Sequence, residues 1–179
     1  MKFARMSSRL VALAAVITLS ACGGSGDTTS DSSVVVPVTD VVLDEPVYPL
    51  TGLPISDQAA ASRVAMVVKI DNHPSARPQA GINQADIIFE ENVEKLTRYA
   101  AVFHSEGSDP VGPIRSGRFQ DINMVGSLNK PLFVWSGGNS KVSSAIAKSD
   151  LVDLSYSKAN TDGGFKRNDE YRAPHNLFA

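Results

Sequence analysis

The sequence predicts a mixed-sheet α/β domain, with helices packed on the strands, behind an N-terminal export signal and a tether. Three observations predict it. Short β-branched apolar runs such as Val64 to Ile70 (VAMVVKI) have the length and composition of buried strands. Two further strand candidates lie close enough together to form a hairpin. Later segments space their apolar residues as one face of a helix does. Strands that first pair and then alternate with helices give a mixed α/β or α+β sheet.

The N-terminus reads in three parts. Lys2, Arg5 and Arg9 are basic, Leu10 to Leu19 is an apolar run with Thr18 as its one polar residue, and Leu19-Ser20-Ala21-Cys22 ends it with small residues. Residues 1–21 therefore read as a secretory signal. Its apolar run is half of the about 20 residues that a membrane span needs. Cys22 is the only cysteine, and it stands where bacterial lipoprotein signals place the residue that receives lipid. The expected partner is thus a membrane, reached through a lipid on Cys22, with the protein on the outer face of the bacterial cytoplasmic membrane. Lipidation uses the only thiol, which excludes disulfides, cysteine catalysis and thiolate metal sites. The chain carries a net charge of −2, and loss of the three signal cations takes it to −5. That balance argues against a nucleic-acid partner and against broad adhesion to anionic lipid.

Residues 22–48 read as a tether. Gly23 to Ser33 is small and polar, and Pro37 and Pro46 break the valine-rich stretch that follows. As a coil it reaches on the order of 25–30 Å. The folded domain is expected over 49–179, entered through the turn-rich Pro49 to Pro54. Its strands are Val64 to Ile70, Asp86 to Val93, Tyr99 to His104, Pro131 to Trp135 and Leu151 to Leu154, with Lys95-Leu96-Thr97 as the hairpin turn. Gly117 to Leu128 carries Phe119, Ile122, Val125 and Leu128 as a helical stripe. Ser140 is placed to cap a helix with Val142, Ala145 and Ile146 on one face. The rest reads as polar loop. Asn176 to Ala179 resembles the start of an element, so a longer parent chain is expected.

Few signatures of known chemistry are present. There is no Walker loop, G-x-G-x-x-G, paired-histidine zinc motif, calcium loop or serine-hydrolase elbow, so no cofactor or metal is expected. His73 and His175 lie in irregular segments beside prolines, where sites are built, although a lone histidine is more often structural. His104 is expected on the sheet surface. Arg115, Ser116 and Arg118 precede the first long helix, an arrangement suited to an anion or to a carboxylate from elsewhere in the protein. The alternative is internal pairing with Glu90, Glu94 or Asp71. Gly137 and Gly138 let backbone approach a ligand, or simply make a tight turn. Glu90, Glu91 and Glu94 read first as salt-bridge partners for the nearby arginines.

These motifs, in order, resemble the YerB-like bacterial lipoproteins. The resemblance rests on Pro49-Leu50-Thr51-Gly52-Leu53-Pro54, Ile70-Asp71-Asn72-His73-Pro74, Arg77-Pro78-Gln79, Gln84-Ala85-Asp86-Ile87, Glu94 with Thr97-Arg98, Gly112-Pro113-Ile114-Arg115-Ser116, Gly137-Gly138 and Arg172-Ala173-Pro174-His175-Asn176. It implies a lipid-anchored α/β domain, the N-terminal one of a longer chain, and brings no activity with it. It carries over a polar set: Asp71, Asn72, His73, Arg77, Glu94, Arg98, Arg115, Ser116, Arg118, Arg172, His175 and Asn176. Lys95 and Leu96 depart from the glycine-rich pattern of that family after Glu94.

The leading expectation is a membrane-tethered domain that binds an anionic ligand, a phosphate or carboxylate. Arg115 and Arg118 would contact it, with Arg77 and Arg172 as further donors. The rivals are a cell-envelope hydrolase or transferase, with Asp71 and His73 or His175 as general base, and an assembly factor for protein partners.

Overall fold

The computed structural model describes residues 45–179. The signal sequence, Cys22 and most of the tether lie outside them. No helix among the described residues is long and apolar enough to cross a membrane.

The centre is a five-stranded sheet of β1 (Met66–Asp71), β2 (Ile87–Val93), β3 (Leu96–Phe103), β4 (Leu132–Trp135) and β5 (Val152–Ser155), in the order β2-β3-β1-β4-β5. The β1–β3 and β2–β3 pairs are antiparallel, whereas β1–β4 and β4–β5 are parallel. The sheet is mixed for the reason expected: a two-residue hairpin forces β2 and β3 antiparallel, and helical crossovers make the later strands parallel. α1 (Gln58–Ser62) precedes β1, α2 (Phe119–Val125) and α3 (Ser140–Lys148) lie between later strands, and α4 (Tyr156–Ala159) follows β5, ahead of a small hairpin of β6 (Lys166–Arg167) and β7 (Leu177–Phe178). The stretch expected as loop thus contains α4 and β6, while β7 falls within Asn176 to Ala179, which reads in sequence as the start of an element. All three are too short to leave a periodic signal.

Side chains alternate between the two faces of the sheet. On one face Val67, Ala100, Val102, Phe133 and Trp135 pack against Val125 of α2 and Val142 and Ile146 of α3. On the other, Val68, Ile70, Ala101, Phe103 and Val134 pack against Val111, Ile114, Phe165 and Leu177. α3 is capped by Asn139, whose side chain accepts the Val142 N–H at 3.0 Å, and Ser140 is its first helical residue rather than its cap. In α2 the expected stripe is only partly inward. The regular helix lasts seven residues, Phe119 is 52% exposed, and the first-turn residue that faces inward is Asp121, fully buried.

The β2–β3 register pairs Val93 with Leu96 and leaves Glu94–Lys95 as the turn. Both have left-handed φ, 51° and 73°, as a two-residue type I′ turn requires. The turn comes earlier than expected because Leu96 and Thr97 extend β3. His104, expected on the surface, is only 5% exposed. The Tyr48 ring meets it edge-on, and its carbonyl accepts Arg63 Nε at 2.5 Å. Tyr48 is itself buried, and its hydroxyl accepts the Asp57 N–H at 2.9 Å.

One departure from regular topology positions the site. β1 pairs with β4 only from Met66 to Val68. Beyond that, the edge of β1 is taken by an incoming segment: Asp71 N donates to Pro113 O at 2.8 Å, and Arg115 N donates to Lys69 O at 2.8 Å. On its far side this segment meets the end of β4, where Ser136 N donates to Arg115 O at 3.0 Å and Gly117 N to Gly137 O at 3.0 Å. Residues 113–117 therefore form a wedge between the carboxyl ends of two parallel strands. Gly117 makes the fit possible, since a Cβ there would lie 2.9 Å from Ile146 Cδ1 and 3.0 Å from Trp135 Cε3.

Candidate functional site

Open α/β sheets place ligands at the carboxyl ends of their parallel strands, where the connections diverge to either side. Here β1 is that strand, with the antiparallel hairpin on one side and β4 on the other. Its last residue, Asp71, is the hub.

Asp71 is 3% exposed and has a partner on each oxygen. Oδ1 accepts the His73 N–H at 3.0 Å. Oδ2 lies 2.6 Å from His175 Nδ1 and 3.0 Å from Arg115 Nε. The Arg115 contact is an ion pair too far off line to be a hydrogen bond. A carboxylate only accepts, so His175 Nδ1 carries the proton in the bond to Asp71, and neutral imidazole then keeps its lone pair on Nε2. His73 lies on His175 as a parallel stacked ring, 4.3 Å between centroids and 13° between planes. Its Nδ1 accepts the Ser75 N–H at 3.1 Å, so that nitrogen bears no proton.

Beside this pair stand three arginines from three elements: Arg98 on β3, Arg115 on the wedge and Arg118 at the start of α2. Arg98 Nη1 donates to Ser116 O at 3.1 Å, and Arg118 Nη1 to Gly117 O at 3.0 Å, so both brace the wedge. Arg118 Nη2 also reaches Glu94 Oε1 at 3.3 Å. Burial pushes the Arg98 guanidinium below its ordinary range, and repulsion from Arg118 and Arg115 adds to this; Asp71 and Glu94 oppose it. The carboxylates that meet Arg115 and Arg118 are thus the protein's own, Asp71 and Glu94. The start of α2 is also closed from within, because Asp121 Oδ2 accepts the Arg118 N–H at 2.6 Å.

Asn72 and Arg77 flank the hub. Asn72 Nδ2 donates to Thr97 Oγ1 at 2.7 Å, and its Oδ1 accepts from Arg77 Nη2 at 2.8 Å. Arg172 is exposed, and its carbonyl accepts the His175 N–H at 2.9 Å, which turns the loop that presents His175. Asn176 is buried with its Oδ1 spent on Arg167 Nη1 at 2.7 Å, a clamp on the β6–β7 hairpin. Gly137 has φ +88°, which demands glycine, whereas a Cβ on Gly138 would make ordinary contacts.

Sequence reasoning missed the layer beneath the arginines. Lys69, Glu91 and Asp121 are all buried. Lys69 Nζ pairs with Glu91 and donates to Asp121 Oδ1 at 2.7 Å. Burial pushes the Lys69 ammonium down to about 8, against the pull of Asp121. The signal is present, since a lysine flanked by Val67, Val68 and Ile70 inside a buried strand must find a carboxylate. Glu91 reads in sequence as one of three partners for the nearby arginines, yet alternation puts it on the helix side, level with Arg98 and Asp71 across β3 and β1, where it also meets Lys69. Among the described residues no three His, Cys, Asp or Glu side chains gather as a metal set. An apolar cavity of about 420 Å³ lies on the opposite face, lined by Met66, Val68, Val134, Leu154, Phe165 and Phe178 among others, away from these charges.

Residues 50–179 match the model of a protein family described as "Protein of unknown function (DUF3048) N-terminal domain". The chain is 36% identical over 135 residues to the putative lipoprotein YerB of Bacillus subtilis (strain 168), covering 73% of this chain and 39% of that protein. The crystal structure of YerB protein from Bacillus subtilis superposes with a TM-score of 0.69 at 30% identity, over 75% of this chain and 46% of that one. The chain thus spans less than half the length of these relatives. With the family model covering most of its length, the chain belongs to the DUF3048 family, through that family's N-terminal domain.

Proposed function

We propose that this chain is a lipid-anchored protein on the outer face of the bacterial cytoplasmic membrane, and that the cluster around Arg115 binds an anionic group, phosphate or carboxylate, of an envelope component or small metabolite. The observation that carries the binding reading is the convergence of Arg98, Arg115 and Arg118 at the carboxyl end of β1. Three guanidiniums this close repel one another, and an anion seated among them relieves that repulsion. Their carboxylates leave room for one. Asp71 is shared with His175, and the Glu94 side chain is 79% exposed on a hairpin turn. An exposed pair of this kind is worth little, so displacing Glu94 costs little. Support for the anchor comes from the signal pattern ending in Cys22 and from the lipoprotein name of the relative.

Calorimetric titration of the full chain with inorganic phosphate and with succinate tests the binding. Saturation is expected with at least one of them, weakened at least tenfold in Arg115→Ala and in Arg118→Ala. A ligand at 100 times its Kd also stabilises by about 2.7 kcal/mol, which a melting curve resolves. Absence of binding by the folded wild-type chain would refute the reading. Cys22→Ser tests the anchor: the variant should leave the membrane fraction, and retention there would count against a lipid on Cys22.

A further inference from the structure

The geometry points to a hydrolytic activity at the same cluster: cleavage of a carboxylic ester in an anionic substrate, with His175 as the general base. The inference rests on the anion-binding reading and adds a reaction to it.

The Asp71–His175 pair is built as an oriented base. Its 2.6 Å bond uses Nδ1, so the neutral ring presents Nε2 as the acceptor. Among the described residues Nε2 has no hydrogen-bond partner, and the side chain keeps 12% of its exposure. Asp71 cannot swing away, because the His73 N–H holds its other oxygen and Arg115 lies against the first. The stacked His73 ring fixes the plane of His175. Arg115 and His175 meet on the same Asp71 oxygen, so a guanidinium stands beside the base. That is the arrangement needed to abstract a proton and to face the negative charge that follows.

A single oriented imidazole suits addition to a carbonyl, where it takes a proton and later returns it. Nε2 of His175 accepts a proton from water while the water oxygen forms a bond to the ester carbon. The carbonyl π pair moves onto its oxygen, beside Arg115. Collapse restores the C=O and breaks the bond to the alkoxy oxygen, which leaves with the proton from His175. Ester and water become carboxylic acid and alcohol, with no redox change. Arg98 and Arg118 hold the anionic group of the substrate.

The test uses the full chain in detergent micelles with two chromogenic esters, p-nitrophenyl acetate and the mono-p-nitrophenyl ester of succinic acid. The succinate ester is expected to be cleaved at least tenfold faster. His175→Ala should lower that rate by about 10²-fold or more, and added imidazole should restore part of it, which a purely structural role would not produce. Where His175→Ala fails to fold, His175→Gln keeps a donor to Asp71 but has no basic nitrogen, and should be equally inactive. A wild-type rate no higher than that of His175→Gln overturns the inference, and equal rates for the two esters overturn the anionic substrate class. Titration of the same samples with succinate and with phosphate separates the two readings: binding without cleavage ends the esterase inference alone, and binding of neither ends both.

Discussion

β1 carries two different interiors on its two faces. Val68 and Ile70 point into an entirely apolar layer, closed by Val111, Ile114 and Leu177. Val67, Lys69 and Asp71 point the other way, and along six residues that face passes from a hydrocarbon core to a buried charge network and then to the candidate site. One backbone thus supports both. The first face needs only shape and area. The second needs every partner at once: Lys69 is tolerable because Glu91 and Asp121 meet it, and Asp121 in turn caps the helix that carries Arg118. Apolar packing degrades gradually on truncation, whereas a charge network fails as a unit.

The largest effect should come from the charged face. Lys69→Met leaves two carboxylates buried without their cation and should cost about 3–5 kcal/mol in urea denaturation. Combining it with Glu91→Leu and Asp121→Asn should recover most of the loss. If the triple variant is no more stable than Lys69→Met, the loss was one of packing rather than charge. On the apolar face Ile70→Ala should cost about 2–5 kcal/mol with no partner able to rescue it, and should leave succinate or phosphate affinity unchanged. A change of affinity beyond that due to partial unfolding would show that the two faces are coupled.

Away from both faces the effects shrink. Lys95 holds φ +73° in the hairpin turn, a conformation that costs about 1–2 kcal/mol for a residue with a side chain. Lys95→Gly should therefore raise stability by about 1 kcal/mol, less the entropy of the freer unfolded chain. A destabilised variant would mean that the Lys95 side chain makes a contribution larger than its strain. Phe119→Ser should change stability by no more than about 0.5 kcal/mol, because Phe119 is half exposed.

The same contrast explains how much of the molecule the sequence discloses. β1 to β5, α2 and α3 are legible within a few residues, since short apolar runs mark buried strands and helical spacing records which side of a helix is wet. The burial of His104 is not legible, because it depends on Tyr48, which lies far back in the chain. Asp71 and His175 can both be named as candidates from their loops, but their contact joins positions 104 apart, and no spacing rule reaches that far. Lys69 and Glu91 are hidden for another reason. Each looks like one polar residue among its neighbours, and only the register of three strands, which sets Glu91 level with Asp71, brings it onto the face that carries Lys69. Arg115 and Arg118 stand out in sequence. Their partners become certain only when the hairpin turn places Glu94 beside one and the end of β1 places Asp71 beside the other.

The wedge at residues 113–117 also sets an order of assembly. It cannot seat until β1 and β4 have met at Met66–Val68 and spread beyond, and its own Ile114 is then latched by Leu177 of β7. Contacts of such long sequence separation form late, after the local hairpin and the helices. During refolding, sheet and helix signals should therefore return before the polar centre exists, and a nascent chain that has emerged only as far as β4 has its scaffold and no His175. The polar centre is therefore complete only once the loop that presents His175 has docked, so a ligand of the proposed site would find no centre on a molecule folded less far.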